Sequence, residues 1–269
     1  MNINSSSLIT TAIEAALEAG NELRKGFDTS FDIQTKPGRH NLVTHYDKLA
    51  ERLIISSIGK KFPDHSILAE ESGAQKKNEE ITWVIDPLDG TVNFAHSIPN
   101  FCVSIAVAKG NDVICGVVYQ PITQELFTAE KGLGARLNGK HIKVSKTLEI
   151  KDAILATGFP YNVEQNPLHC IDQVASILHM GLPIRRIGSA ALDLCYTAAG
   201  RFDGYWECSL EPWDIAAGKL LVEEAGGTVT DYEGMERFFH KKTSVVASNS
   251  LLHNAMIHTL RCNRNDTYN

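Results

Sequence analysis

The sequence predicts a mixed α+β and α/β protein whose two halves are built differently. Amphipathic helical spacing dominates the first 60 residues, short apolar runs separated by turn residues fill the region from 101 to 137, and strands alternate with helices after about residue 150. Closely spaced strands indicate antiparallel pairing, whereas regular alternation indicates an α/β arrangement. We therefore expect an N-terminal α+β sub-domain over residues 1–150 and a C-terminal α/β sub-domain over residues 151–269, joined in one compact body with a cleft between them.

The elements of the first half follow from their apolar periodicity. Helical spacing predicts helices over residues 5–26 and 45–59. Lys36-Pro37-Gly38 indicates a loop or a short hairpin within residues 31–44. Strand patterns are found over residues 66–69, 81–86, 101–108, 113–119, 125–129 and 134–137. The polar residues 74–80 are expected to form a mobile surface loop.

In the second half, strands and helices alternate without a linker or a repeat. The predicted strands cover residues 153–157, 183–187, 203–208, 227–230 and 244–248. The predicted helices cover residues 167–180, 189–199, 214–225 and 250–261.

Composition and charge narrow the functional class. The chain has 269 residues and is 43% hydrophobic, which is ordinary for a folded protein. Its formal net charge of −6 argues against general nucleic-acid binding, although bound metal ions can reverse the charge of a local site. No secretory signal or membrane-spanning stretch is visible, so we expect a soluble cytoplasmic protein without a membrane partner. Six cysteines without a C-x-x-C pair predict buried, reduced thiols.

The segment Asp86-Pro87-Leu88-Asp89-Gly90-Thr91 is the first candidate for chemistry. Pro87 is expected to end the preceding strand at Asp86, because proline cannot donate to the ladder. Two carboxylates three residues apart in a turn, with a backbone carbonyl between them, offer the oxygen ligands that Mg²⁺ prefers. Gly90 leaves room for a ligand, and Thr91 adds a hydroxyl. Taken alone, the hexapeptide also has the composition of an ordinary turn.

Two further groups of acidic residues that could contribute ligands lie elsewhere in the chain. Glu70-Glu71 follows the predicted strand 66–69, and Asp214 lies where the N-cap of the helix 214–225 is expected. Each has an ordinary explanation, a solvated turn in one case and a helix cap in the other. Together with the Asp86–Thr91 segment, they predict a carboxylate site that binds two or three divalent ions for phosphoryl transfer.

Two motifs then resemble the inositol monophosphatase family of magnesium-dependent, lithium-sensitive phosphatases. They are Trp83-Val-Ile-Asp-Pro-Leu-Asp-Gly-Thr-Val-Asn-Phe94 and Trp213-Asp-Ile-Ala-Ala-Gly-Lys-Leu-Leu-Val-Glu-Glu-Ala-Gly-Gly227. Ala69-Glu-Glu-Ser72 matches upstream, and the stretch beginning Arg185-Arg-Ile-Gly-Ser-Ala-Ala is most similar to the bacterial branch. The similarity extends over nearly the whole chain. It implies a sandwich of alternating α-β-α-β-α layers and a homodimer.

The resemblance also implies residue roles. Glu70, Asp86 and the Leu88 carbonyl would bind one Mg²⁺, Asp86, Asp89 and Asp214 a second, and Glu70 would face a weaker third ion. Thr91, paired with Asp47, would orient and help deprotonate the attacking water. The backbone N–H groups of Gly90 and Thr91 would hold the phosphate. The substrate's hydroxyl groups would meet Glu207, Ser189 and Ala190.

The substrate stays open among several alternatives. The resemblance favours myo-inositol 1-phosphate or another phosphorylated polyol or sugar. Relatives act on fructose-1,6-bisphosphate, histidinol phosphate or 3′-phosphoadenosine 5′-phosphate, and residues 157–170 are expected to help discriminate. Some bacterial relatives are partners in transcription complexes. The Arg185-Arg186 pair would serve such a role, although we favour a structural or interface salt bridge for it.

Overall fold

The computed structural model describes residues 5–30, 33–35, 42–77, 80–236 and 242–262. Its α-helices are α1 (Ser5–Gly26), α2 (His45–Lys61), α3 (Thr91–Ala95), α4 (Cys170–His179), α5 (Ala190–Ala198), α6 (Pro212–Glu224) and α7 (His253–Cys262). Its strands are β1 (Ile33–Thr35), β2 (Leu42–Thr44), β3 (Ser66–Ala69), β4 (Gly73–Gln75), β5 (Ile81–Asp89), β6 (Cys102–Lys109), β7 (Asp112–Gln120), β8 (Glu125–Glu130), β9 (Gly134–Leu137), β10 (Lys140–His141), β11 (Leu155–Thr157), β12 (Ile184–Arg185), β13 (Gly204–Leu210), β14 (Gly227–Thr230) and β15 (Thr243–Asn249).

Two large sheets organise the described residues. The first has eight strands in the order β10-β9-β8-β7-β6-β5-β3-β4 and is antiparallel except between β3 and β5. The second has five strands in the order β12-β11-β13-β15-β14, and β11 runs parallel to both of its neighbours. The short hairpin expected within residues 31–44 is present as the antiparallel pair β1–β2. Its Lys36-Pro37-Gly38 segment lies outside the described residues.

Helices cover both faces of each sheet. α1 and α2 pack on the outer face of the eight-stranded sheet, α5 and α6 lie between the two sheets, and α4 and α7 cover the outer face of the five-stranded sheet. This order is the predicted α-β-α-β-α sandwich. Because β6 and β7 are covered on both faces, their sequences are almost continuously apolar.

Two boundary predictions are wrong. The polar residues 74–80 do not begin as a loop, because β4 pairs antiparallel with β3 at the edge of the sheet. An edge strand exposes its side chains to solvent, so a polar composition is compatible with it. Residues 78–79 lie outside the described part of the chain. The strand ending expected at Asp86 is also wrong, since β5 continues to Asp89 after a shift of register.

Two composition-based expectations can be compared with the structure. Cys102, Cys115, Cys170, Cys195 and Cys208 are buried free thiols, as predicted. None of the helices within the described ranges combines the length and the apolar character that a membrane crossing requires.

Candidate active site

The centre of the candidate site is the irregular end of β5. The pairing of β5 with β6 shifts register between Asp86 and Asp89, because Pro87 has no N–H to donate. The Leu88 N–H turns back and donates to Asp86 Oδ1 at 3.0 Å. Burial is the largest cause that raises the pKa of Asp86 well above its usual value.

Gly90 converts this strand end into the start of α3. Its φ of +93° is left-handed, and an added Cβ would lie 2.8 Å from the carbonyl oxygen of Asn100. Glycine therefore satisfies both the backbone conformation and the close approach. The five-residue helix that begins at Thr91 was not predicted, because it is too short to show periodicity.

Thr91 connects this segment to the start of α2. Its Oγ1 lies 3.0 Å from Asp47 Oδ1 and 3.0 Å from the Leu88 carbonyl oxygen. The other carboxylate oxygen of Asp47 accepts from the Thr44 N–H at 2.7 Å and the Thr44 hydroxyl at 2.6 Å. Asp47 is therefore both a helix-capping residue and a partner of Thr91. Burial raises its pKa to about 6, against the opposing effect of these hydrogen bonds.

Asp89 joins the first sheet to α5. Its Oδ2 accepts from the Ser189 hydroxyl and from the Ala191 N–H, each at 2.7 Å. The Ser189 hydroxyl also caps α5 by accepting from the Leu192 N–H at 3.3 Å. Residues 100 positions apart are thus held together by one carboxylate.

Asp214 lies in the first turn of α6, not at its cap. The helix begins at Pro212 with Glu211 as its N-cap, and Asp214 Oδ2 accepts from the Glu211 N–H at 2.7 Å. The predicted N-cap position of Asp214 is therefore wrong by one turn, because proline is favoured at the first helical position. Burial, followed by the charge of Asp89, raises the pKa of Asp214 well above its usual value.

The acids influence one another strongly. After burial, the charges of Glu70, Asp89 and Asp214 are the next causes that raise the pKa of Asp86. Glu70 follows β3, where its N–H donates to the Ile85 carbonyl at 3.1 Å. Four carboxyl groups from three separate chain segments therefore share one region of negative potential.

Glu207 lies opposite these acids on β13. Its Oε2 accepts from the Tyr205 hydroxyl at 2.6 Å, and a Cβ added to Gly158 would lie only 1.9 Å from that oxygen. Burial raises the pKa of Glu207 to about 7, partly offset by Tyr205 and Arg186. The backbone at Gly158 therefore packs directly against this carboxyl group.

A cleft of about 640 Å³ brings the candidate residues together. The predicted site residues that line it are Glu70, Asp86, Leu88, Asp89, Gly90, Thr91, Ser189, Ala190, Glu207 and Asp214. Asp47 is reached from the cleft through the Thr91 hydroxyl. Residues from both halves of the chain form its walls.

Several lining residues were not predicted. They are Tyr161, Asp193, Ser209 and Lys242. Arg186, expected to be structural, also lines the cleft. Burial and the charges of Glu70 and Asp214 raise the pKa of Tyr161 to about 12, although the residue is half exposed. The only sequence signal was positional: Tyr161 falls in the segment 157–170 that was expected to discriminate substrates.

The donor set has the chemistry of a hard-cation site. Within the described residues, no three His, Cys, Asp or Glu side chains are already arranged so that together they could hold a metal ion. Mg²⁺ keeps several of its water ligands in most protein sites, and carboxylate and phosphate oxygens supply the rest. The crowded carboxyl groups, with raised pKa values at Asp86, Asp89 and Asp214, are compatible with that mode of binding because divalent cations would relieve their mutual repulsion.

A five-layer sandwich with an acidic cleft is the architecture of a class of layered α/β phosphatases. The chain belongs to the Inositol monophosphatase family, whose profile it matches over residues 4–265. It is 43% identical to the Nus factor SuhB of Escherichia coli over 256 residues, which cover 94% of this chain and 96% of that protein. Two solved structures share its fold. One is the extragenic suppressor protein suhB from Bartonella henselae, with 38% identity, coverage of 95% of this chain and 98% of that one, and a TM-score of 0.90. The other is the Inositol monophosphatase from Anabaena, with 39% identity, coverage of 96% of each chain, and a TM-score of 0.84.

Proposed function

We propose that this protein hydrolyses a small phosphate monoester in the presence of Mg²⁺, with myo-inositol 1-phosphate or a related polyol phosphate as its substrate. The observation that carries the proposal is the gathering of Glu70, Asp86, Asp89 and Asp214 at one cleft, where neighbouring acids help to raise the pKa of Asp86 and of Asp214. Such a concentration of acids is costly without cations and repels a phosphate dianion. The same arrangement becomes favourable when divalent ions are held between the acids and the phosphate.

The ligand assignment follows the oxygen donors of the cleft. Glu70, Asp86 and the Leu88 carbonyl would hold one Mg²⁺, and Asp86, Asp89 and Asp214 a second, with Glu70 also facing a weaker third ion. When bound, Mg²⁺ neutralises the phosphate, activates a water molecule and stabilises the leaving alkoxide. The protein supplies no covalent nucleophile in this proposal.

Thr91 and Asp47 would accept the proton that the attacking water loses. The Thr91 hydroxyl faces the cleft and lies 3.0 Å from Asp47 Oδ1, so it can receive a hydrogen bond from water while donating to the carboxylate. With a pKa of about 6, Asp47 is mostly ionised at neutral pH and can accept that proton through the hydroxyl.

The remaining residues would bind the two ends of the substrate. The N–H groups of Gly90 and Thr91 would hold the phosphate. Glu207 would accept a hydrogen bond from a substrate hydroxyl, and Ser189 and Ala190 would form the adjoining wall.

Phosphate release from myo-inositol 1-phosphate, with and without Mg²⁺, tests the proposal. The panel should include fructose-1,6-bisphosphate, histidinol phosphate and 3′-phosphoadenosine 5′-phosphate, each also assayed with Li⁺. We expect Mg²⁺-dependent, Li⁺-inhibited release that is most efficient with the inositol ester. Absence of release under conditions where a family phosphatase is active would refute the proposed chemistry. Preference for a nucleotide would refute the proposed substrate while leaving the chemistry in place.

A second function is supported by the relatives of this chain that are named Nus factor SuhB. We propose that the protein also associates with a transcription complex, through a surface separate from the cleft. Capture of purified RNA polymerase and Nus proteins by the wild type and by Asp89→Asn tests this. Equal capture supports a separable role, and no capture by either form refutes it.

Light scattering of the same samples tests the expected homodimer.

A further inference from the structure

Asp193 is a buried carboxylate that the proposed mechanism does not use. It is 1% exposed, and among the described residues neither of its side-chain oxygens has a hydrogen-bond partner. It lies on α5 one turn after Ser189 and Ala190, which border the cleft, and Asp193 lines the cleft as well. Its N–H donates to the Ser189 carbonyl at 3.0 Å, so its place on that helical face is fixed by the helix itself.

The surroundings of Asp193 make this isolation costly. Burial and the charges of Glu207 and Asp89 raise its pKa well above the usual value, and only Arg186 acts in the opposite direction. A buried polar group without a partner loses its hydration and gains nothing in return. Among the described residues, a hydrogen-bonding group is therefore left unsatisfied in the lining of the same cleft as Glu207. A ligand that brings a donor would remove that cost.

We propose that Asp193 is a specificity-determining residue that accepts a hydrogen bond from a second hydroxyl of the substrate's polyol portion, beside the hydroxyl received by Glu207. This inference deepens the proposed function and rests on it. Tyr205 already engages one oxygen of Glu207, whereas the oxygens of Asp193 have no such partner among the described residues. A polyol with neighbouring hydroxyl groups supplies two donors and so satisfies both acids at once.

The charge of this wall favours a neutral polyol over a second anion. Asp193 and Glu207 both present acceptor oxygens, and a second phosphate dianion, which has no hydrogen to donate, could not satisfy them. Arg186 lies at the same wall, where a Cβ added to Gly188 would come within 2.7 Å of its Nη1. The guanidinium can donate to hydroxyl oxygens while the acids accept from hydroxyl groups, so this wall is suited to the alternating donors and acceptors of a polyol.

The test compares two esters that share the phosphate and differ in their hydroxyl groups. We measure kcat/KM for myo-inositol 1-phosphate and for p-nitrophenyl phosphate, and take the ratio as the selectivity of each protein. In Asp193→Leu, which cannot accept a hydrogen bond, we expect the ratio to fall by about 3- to 10-fold, as for loss of one hydrogen bond. The matched control is Asp203→Asn, a buried aspartate outside the cleft lining whose Oδ2 accepts from the Ile154 N–H at 2.7 Å. Its selectivity should match the wild type.

A substrate-side measurement does not depend on the folding of any variant. With the wild type, monodeoxy analogues of the inositol ester should show one position, besides that of the Glu207 partner, whose removal lowers kcat/KM by a similar factor. In Asp193→Leu that sensitivity should disappear, because leucine has no acceptor. A proportional loss with both esters, or no sensitive second position, overturns the inference.

Failure of the proposed function is distinguishable from failure of this inference. If the wild type releases no phosphate from either ester, the proposed function is refuted. In that case the affinity for myo-inositol 1-phosphate, measured by calorimetry in the presence of Mg²⁺, tests the role of Asp193. Weaker binding by Asp193→Leu than by Asp203→Asn supports its role, and equal affinity overturns it.

Discussion

Substitution of Gly158 by alanine would displace the carboxyl group of Glu207 without changing Glu207 itself. The new Cβ would lie 1.9 Å from Oε2 and 2.3 Å from Cδ of Glu207, which is far inside contact distance. The carboxyl group must therefore move by roughly 1 Å, and Tyr205, bonded to Oε2 at 2.6 Å, must follow or lose its partner. A displacement of that size in a substrate-positioning group costs about 10²-fold in rate. The overpacked site should also lose about 1–3 kcal/mol of folding free energy.

The assay is kcat/KM for myo-inositol 1-phosphate relative to p-nitrophenyl phosphate, with thermal unfolding of the same samples. Gly59→Ala is the matched control, because a Cβ at this position in α2 meets nothing within 4 Å. The control should keep wild-type kinetics and gain up to about 1 kcal/mol of stability. If Gly158→Ala is folded and keeps the wild-type ratio, Glu207 does not position the polyol and the assignment of this wall is wrong.

Three further predictions address the acids and the fold. Asp89→Asn and Asp214→Asn should each lose most turnover while remaining folded, because the amide keeps the shape of the side chain and removes its charge. Wild-type activity in both variants, with unchanged circular dichroism, would contradict the proposed metal site. Mg²⁺ at 100 times its dissociation constant should stabilise the wild type by about 2.7 kcal/mol, measured as a rise in Tm. Asp86→Asn should lose most of that rise. An equal rise in both proteins would mean that the ions bind elsewhere. Burial lowers the pKa of His253, so its neutral form is favoured in the folded state. Its stability contribution is present above the unfolded value of about 6.5 and is lost as pH falls below it, by at most about 1.4 kcal/mol per unit; urea unfolding at two pH values should show a smaller difference in His253→Gln, and an identical difference would refute this.

Local patterns in the sequence were sufficient for most of the fold. The helical stripes that predict α1 and α2 are long enough for their period to be clear. Periodicity gave no signal for α3, which has five residues and begins where Gly90 adopts a left-handed conformation. It also missed β4, since an exposed edge strand does not need apolar side chains. In both cases tertiary contacts, not the local pattern, decide the conformation.

The site could be predicted only as far as its motifs reached. Asp86, Asp89 and Asp214 lie in recognisable motifs, and the fold brings these segments to one cleft. Asp193 lies within an apolar helical segment, where a single acid carries no functional signal. The fold places α5 between the two sheets, where the carboxyl group of Asp193 has no hydrogen-bond partner among the described residues.

The geometry of the acids depends on irregular strands as much as on the acids themselves. In a regular strand, residues three apart point to opposite faces of the sheet, so Asp86 and Asp89 could not both face one cleft. The register shift at Pro87 removes that restriction, and both residues line the cleft. β13 shows a second shift between Glu207 and Leu210, where Ser209 adopts a φ of +65°. Each large sheet thus breaks its pleat where it borders the cleft, as bulges beside active sites commonly do. The irregular backbone costs conformational free energy, and it allows acids that a regular strand would separate to border one cleft.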